Sequence, residues 1–233
     1  MAHFDITPDN HDAVVTRLAT MVLSASDAIV DEGLAWYDEA HGAARELSSD
    51  LGITLRQAAG VIATSSPNLD AGINMAAARI IDGTEQRLYE KSRQRALMCL
   101  RHDPTEIIDK RTAPKTWSFF WNIYAPGLRD HVTVDGRHAD IIANTMRGWK
   151  ANRGIDVGHV GSRYESYEFI TEDTARALRL LRPFRTITAP QVQAILWCEG
   201  KRIERQGLTS RGNPRKVGCH RKGQPYVPER REP

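Results

Sequence analysis

The chain is short of cysteine. The three present, Cys99, Cys198 and Cys219, are far apart and odd in number. Such spacing supports neither a disulfide framework nor a zinc or iron–sulfur site, and a reducing cytoplasm is the expected location. Long apolar runs are missing as well. Nothing approaches the ~20 consecutive apolar residues of a membrane-spanning helix, so no membrane partner is expected. The opening MAHFDITPDN has neither the basic nor the apolar region of a signal peptide. There is no GxSxG elbow and no Walker A loop. Gly154, Gly158 and Gly161, in the loop from Lys150 to Arg163, do not form a GxGxxG frame between a strand and a helix. His131, His138 and Asp140 match no familiar ligand spacing, and neither a metal nor a cofactor is expected.

What remains is an ordinary globular composition. At 233 residues, 41% hydrophobic and 26% charged, the chain has room for a real core in one large domain or two small lobes. The net charge of +3 hides an asymmetry. Lys201 to Pro233 holds ten lysines and arginines against three glutamates, a balance of +7 that leaves −4 for residues 1–200. A basic tail on a mildly acidic body is a frequent footprint of a polyanion partner, most often nucleic acid, although a solvated tail has the same composition. Residues 208–233 have no periodicity and are rich in Gly, Pro and basic residues. They read as a flexible tail, disordered until bound, on a helical body of residues 1–207. Arg211, Arg215, Lys216, Arg221 and Lys222 are its candidate DNA contacts.

Helical periodicity runs through the body. Val14, Leu18, Met21, Val22, Ala25 and Ile29 predict one amphipathic helix over 11–31. A second follows over 34–51, with Gly52 placed to end it. Trp36 and Tyr37 on this helix read as core. Thr54 caps a third helix, which Pro67 stops. Ser66 and Asn68 lie at the polar corner before a further helix opened by Asp70, where helix caps and surface contacts are equally natural readings. A charged helix from Gly83 to about Arg101 follows, and Pro104 begins a short turn. Pro114 opens the aromatic helix with Trp117, Phe120, Trp121 and Tyr124, a cluster most simply read as core. Two later helices span about Tyr164–Leu181 and the stretch after Thr188. The fold class is all-α.

The segment HVTVDGRHADIIANTMRGW, from His131 to Trp149, is the one on which the rest converges. An extended start leads to Asp135, and the spacing of Ala139, Ile142, Ala143 and Met146 predicts a helix with one buried face. Asp135 is then its N-cap, and a carboxylate held there by backbone N–H groups can also orient a water or stabilise a cation. Arg137 and His138, on the first turn, are placed to contact phosphate or to hold that carboxylate. A plain cap and a structural histidine fit the same residues.

VTVDGRHADIIANTM resembles the Val-Asp-x-His/Arg segment of the helix-hairpin-helix DNA glycosylases, the endonuclease III superfamily. GVIATSSPNLDAGINMAAARI is similar to the early helix–turn–helix of that superfamily, and KTWSFFWNIY to the Lys-Thr helix that precedes its aspartate. The three pieces occur in the same order over residues 60–149, in a pattern similar to a divergent, phage-type branch. The likeness implies a two-lobed helical fold that binds DNA and acts on a base taken out of the stack. By the same likeness Asp135 and Lys115 would be the catalytic pair, and the location would be the host cytoplasm for a phage-encoded chain. The family's Leu-Pro-Gly-x-Gly turn is absent before Lys115, and Ser66, Pro67 and Asn68 stand where a glutamine is usual. Two other functions suit the sequence, a catalytically silent DNA-binding protein and a phage-type protein that binds a host partner.

Overall fold

The computed structural model describes residues 4–65, 90–128, 131–144 and 162–205. These residues are all-α, with helices and no strand. In chain order the helices are α1 (Pro8–Ser24), α2 (Asp27–Leu51), α3 (Leu55–Ser65), α4 (Glu90–Cys99), α5 (Pro104–Ile107), α6 (Pro114–Tyr124), α7 (Gly136–Ile142), α8 (Ser162–Leu178) and α9 (Ala189–Arg205), with a 3₁₀ turn at Arg182–Phe184 before α9. None of the described helices is long and apolar enough by itself to cross a membrane.

Local signals set most of the helix ends. Gly52 closes α2 in the left-handed conformation, at φ 63°, where a side chain would be strained. Thr54 and Gln57 bond reciprocally across the start of α3, each backbone N–H meeting the other's side-chain oxygen at 2.9 and 3.1 Å. Pro104 and Pro114 occupy first-turn positions that need no N–H.

The first two helices depart from expectation. The break falls at Ala25 and Ser26, both extended, and the chain turns there by 107°. Gly33, between the two helices expected from the sequence, is instead buried inside α2. A Cβ on it would lie 2.5 Å from the Cα of Ile195, so the missing side chain is what lets α9 lie against α2. The helix after Asp135 is also shorter than its apolar stripe implies. It ends at Ile142, Asn144 is left-handed at φ 52°, and Arg17 of α1 donates to the carbonyls of Ile141 and Ile142 at the helix end.

Two apolar clusters make up the interior. One gathers Val14 and Leu18 of α1, Val132, Val134, Ile141, Tyr167, Ile170 and Leu178. The other gathers Tyr37, Ala40 and Ala44 of α2 with Ala58, Ala59, Ile62, Phe119, Phe120 and Ile123. Helix α9 serves both, with Val192, Ile195 and Leu196 in the first cluster and Ala194 in the second. The aromatic helix is only partly core. Phe119 and Phe120 are buried, whereas Trp117, Trp121 and Tyr124 are half-buried. The Arg56 guanidinium sits 5.3 Å from the Trp121 and Tyr124 ring centres and 5.7 Å from that of Phe120, and its Nε is 2.8 Å from Asp103.

Candidate functional site

Asp135 is the N-cap of α7. One carboxylate oxygen accepts the backbone N–H of His138 at 2.8 Å, and its own carbonyl accepts from Ala139 at 2.9 Å. The other carboxylate oxygen accepts the indole N–H of Trp197, from α9, at 2.9 Å. Two fixed donors on opposite oxygens leave the carboxylate little freedom to rotate. It is only half-buried, so its remaining lone pairs are not sealed in the core.

Trp197 is itself clamped. Its ring centre is 4.9 Å from that of Trp36 at a 42° tilt, with the Arg137 guanidinium 5.0 Å away and the Lys201 ammonium 4.4 Å away. Each cation is tied on its far side, Arg137 to Glu204 at 2.8 Å and Lys201 to Glu32 at 3.0 Å. A ladder of charge and aromatic faces thus runs from α2 through α9 to α7, and it aims one N–H at Asp135.

Behind this corner a layer of buried polar groups joins the two apolar clusters. The Tyr37 hydroxyl donates to Gln193 at 2.7 Å, and the Asn122 amide donates to the Thr133 hydroxyl at 3.1 Å. Among the described residues the extended segment 131–135 pairs with no strand, and side chains meet its buried backbone. Tyr164 supplies them, its hydroxyl donating to the Val132 carbonyl at 3.0 Å and accepting from the Val134 N–H at 3.2 Å. Ser118 lies 3.4 Å from the same phenol oxygen and donates to Glu168 at 3.3 Å. The Asn122–Thr133, Ser118–Tyr164 and Ser118–Glu168 contacts reach from α6 of the second cluster to the segment or α8 of the first, whereas the Tyr164 bonds to Val132 and Val134 stay within the first.

Glu168 is the unusual acid of this layer. Burial pushes its carboxyl up to about 7, helped by Glu172 and opposed by Lys110 and by hydrogen bonds from Ser118 and the Val132 backbone. His138 shows the reverse effect on a base. Its ring is fully buried, and burial pushes it down to about 4. Thr171 spends its hydroxyl proton on the Tyr167 carbonyl at 2.8 Å, so the His138 Nε2 that meets it at 2.9 Å must carry the ring hydrogen. Nδ1 is then an acceptor with no partner among the described residues.

The expected site residues therefore separate. Asp135, Arg137 and His138 share one corner, but only the backbone of His138 serves it, since the neutral ring faces the interior. Arg137 braces Trp197 and Glu204. Lys115 is in the first turn of α6, seven residues before Asn122, an α6 side chain that meets the Asp135 segment; that is about 10 Å along a helix axis. Ser66, Asn68, Arg211, Arg215, Lys216, Arg221 and Lys222, and residues 150–161 of the glycine-rich loop, lie outside the described residues, while Ser162 and Arg163 begin α8. Among the described residues no group of three or more His, Cys, Asp or Glu side chains is placed to hold a metal.

Sequence reasoning missed Trp36, Trp197, Lys201, Tyr164 and Glu168 as parts of this corner. Trp197 and Lys201 do stand four residues apart on one helix, a spacing that stacks side chains and was the available signal. Nothing local marks Glu168.

The family model that fits this chain covers residues 2–204, and so takes in every described helix up to the last turn of α9. The chain belongs to that family. It is described as Family of unknown function (DUF7178). No curated protein and no solved structure matches the chain. For a DUF7178 chain the functional reading therefore rests on the geometry of the Asp135 corner itself.

Proposed function

We propose that this protein binds DNA and acts on a base in it, by cleaving the N-glycosidic bond or by modifying the base, with Asp135 at the reacting centre. The observation that carries this reading is the Asp135 carboxylate, held on one oxygen by the His138 backbone N–H and on the other by the Trp197 indole, and still half-exposed. A negative charge fixed in advance stabilises positive charge developing on a deoxyribose without having to reorganise as the bond breaks. The resemblance of VTVDGRHADIIANTM to the glycosylase aspartate segment points the same way. The basic residues beyond Lys201 would add sequence-independent affinity that falls with salt.

The test is base release. Duplexes carrying single damaged or hypermodified bases are incubated with the protein and treated with alkali, which cuts abasic sites. We expect strand breaks with the natural protein and a loss of at least ~10²-fold with Asp135→Asn, which keeps the shape and removes the charge. Absence of breaks on every duplex, with equal and salt-sensitive binding by both proteins, overturns bond cleavage and leaves base modification to be read by mass spectrometry of the treated DNA.

A second reading, a catalytically silent DNA-binding protein, draws on the same contacts. Two protein donors on one carboxylate are also what a purely structural cap requires. Bases left unaltered by the natural protein, with DNA binding unchanged in Asp135→Asn, would favour it.

A further inference from the structure

We propose that His11 is a pH-sensitive fastener of the N-terminal segment, tying the first turn of α1 to α8 while its ring carries both hydrogens and loosening when one is lost. This device is independent of the reading of Asp135 given above.

Both ring nitrogens of His11 meet carboxylate oxygens. Nδ1 is 2.9 Å from Asp12, and Nε2 is 2.9 Å from Asp173 of α8. An ionised carboxylate only accepts hydrogen bonds, and a neutral imidazole has a single N–H to give. The ring must therefore be an imidazolium to satisfy both partners. A neutral ring would leave a lone pair facing a carboxylate oxygen at hydrogen-bond distance. The two bonds are not equal. Asp12 is fully exposed, so water competes with the ring for it, whereas the Asp173 side chain is only 12% exposed. Arg176 stands 2.7 Å from the other Asp173 oxygen, and the Phe169 ring centre lies 6.0 Å from that of His11. The charged groups that act on the ring are Asp12 of its own helix and Asp173 of α8, with Arg176 behind Asp173. The hydrogen bond to Asp12 raises the ring above the ordinary histidine value, slight burial opposes this, and Asp173 adds to the rise.

The tie closes a strap. Along α8, Arg163 meets Asp5 at 2.9 Å, the Tyr167 hydroxyl donates to the Phe4 carbonyl at 2.8 Å, and Asp173 meets His11. Phe4 and Ile6 pack against the first apolar cluster. Among these links His11 is the one whose charge changes near neutral pH. Because its folded value is raised, its contribution is complete below the ordinary histidine value and is lost as pH rises through the folded one. The strap is thus held on the acid side and loosens on the alkaline side. The same helix brings Arg17 to the carbonyls of Ile141 and Ile142, which joins the fastener through α1 to the helix that Asp135 caps.

Two observables on the full chain test this. The His11 ring resonance, assigned by its loss in His11→Gln, is titrated by NMR in the natural protein and in Asp173→Asn. Hydrogen exchange at positions 10 and 11, whose amides close the first turn on the Thr7 carbonyl, is followed over the same pH range and corrected for the intrinsic rate. We expect His11 to titrate above the ordinary histidine value in the natural protein and to fall back in Asp173→Asn. Protection at the two amides should drop as pH rises through that titration, by about tenfold for each pH unit by which it lies above the ordinary value. Glutamine can donate to Asp173 without titrating, so His11→Gln should hold one level of protection throughout. Equal titration of His11 in the natural protein and in Asp173→Asn overturns the tie to α8. The same fall of protection in His11→Gln as in the natural protein overturns the role of His11 in loosening the strap.

Discussion

The two apolar clusters are built from different materials. The cluster around α1 and α8 is made of branched aliphatic side chains, with Val132, Val134, Ile141, Ile142, Ile170 and Leu178 all fully buried. The cluster around α2, α3 and α6 is richer in alanine, with Ala40, Ala44, Ala58, Ala59 and Ala63 beside Ile62, Ile108 and Ile123 and the rings of Phe119 and Phe120. Alanine faces bring helices close and leave few atoms to shift into a gap, so the second cluster depends on a few large rings. The first spreads the same work over many medium-sized side chains, several of them supplied by the segment that carries Asp135. The difference teaches that Asp135 is rooted in the more evenly packed half, while the other half contributes Tyr37 and Asn122, which meet its segment and α9 across the polar layer.

The sharpest way to break this comparison is Phe120→Ala. The ring is fully buried, and its loss should cost about 3–5 kcal/mol, toward the upper end because the neighbouring alanines cannot close the cavity. Ile170→Ala, in the aliphatic half, should cost about 2–5 kcal/mol and fall below it. Urea unfolding of both variants measures the ordering, and an equal or greater cost for Ile170→Ala would remove the contrast.

A smaller effect is expected where the halves meet. Gly33→Ala places a methyl group 2.5 Å from the Ile195 backbone and must push α2 and α9 apart. We expect a loss of about 1–3 kcal/mol by the same unfolding measurement. Because Trp36 is on α2 and Trp197 on α9, tryptophan fluorescence should change as well. A neutral substitution would mean that the contact is looser than its geometry.

The smallest effect concerns pH. Glu168 has its folded value raised to about 7, so its favourable contribution is complete below the ordinary glutamate range and is lost as pH rises through 7. His138 has its folded value lowered to about 4, so its contribution is complete above the ordinary histidine range and is lost as pH falls through 4. Between these two losses stability should pass through a maximum on the acid side of neutrality. Replacing Glu168 by Gln should flatten the upper slope by on the order of 1–2 kcal/mol, a figure reduced for the partial exposure of the group. Thermal melting from pH 4 to 8 reads both limbs, and an unchanged upper limb in Glu168→Gln would assign that slope to another group.

Some of the fold was legible because its causes are local. The Thr54–Gln57 pair, Gly52, Pro104 and Pro114 act within one helical turn of themselves, and the helices begin and end where those residues say. The gap expected between residues 31 and 34 is filled by α2, which runs through Gly33. Nothing in its own turn marks Gly33 as a contact point, a role it takes only because Ile195 lies over it. The stripe reaching Met146 likewise gave no hint that Arg17, more than a hundred residues earlier, would meet the carbonyls at Ile142.

By itself the sequence determined the all-α class, the basic character of the residues after Lys201, and Asp135 as a helix cap. Composition, periodicity and capping all act over a few residues. Only the tertiary structure decided that Asp135 meets Trp197, that Arg137 braces that indole, that the His138 ring faces inward as a neutral base, and that Glu168 holds its proton near neutral pH. The physical reason is that desolvation and long-range hydrogen bonds belong to the surroundings a residue is folded into. A lone glutamate in α8 and a lone tryptophan in α9 carry no mark of those surroundings until the helices are packed.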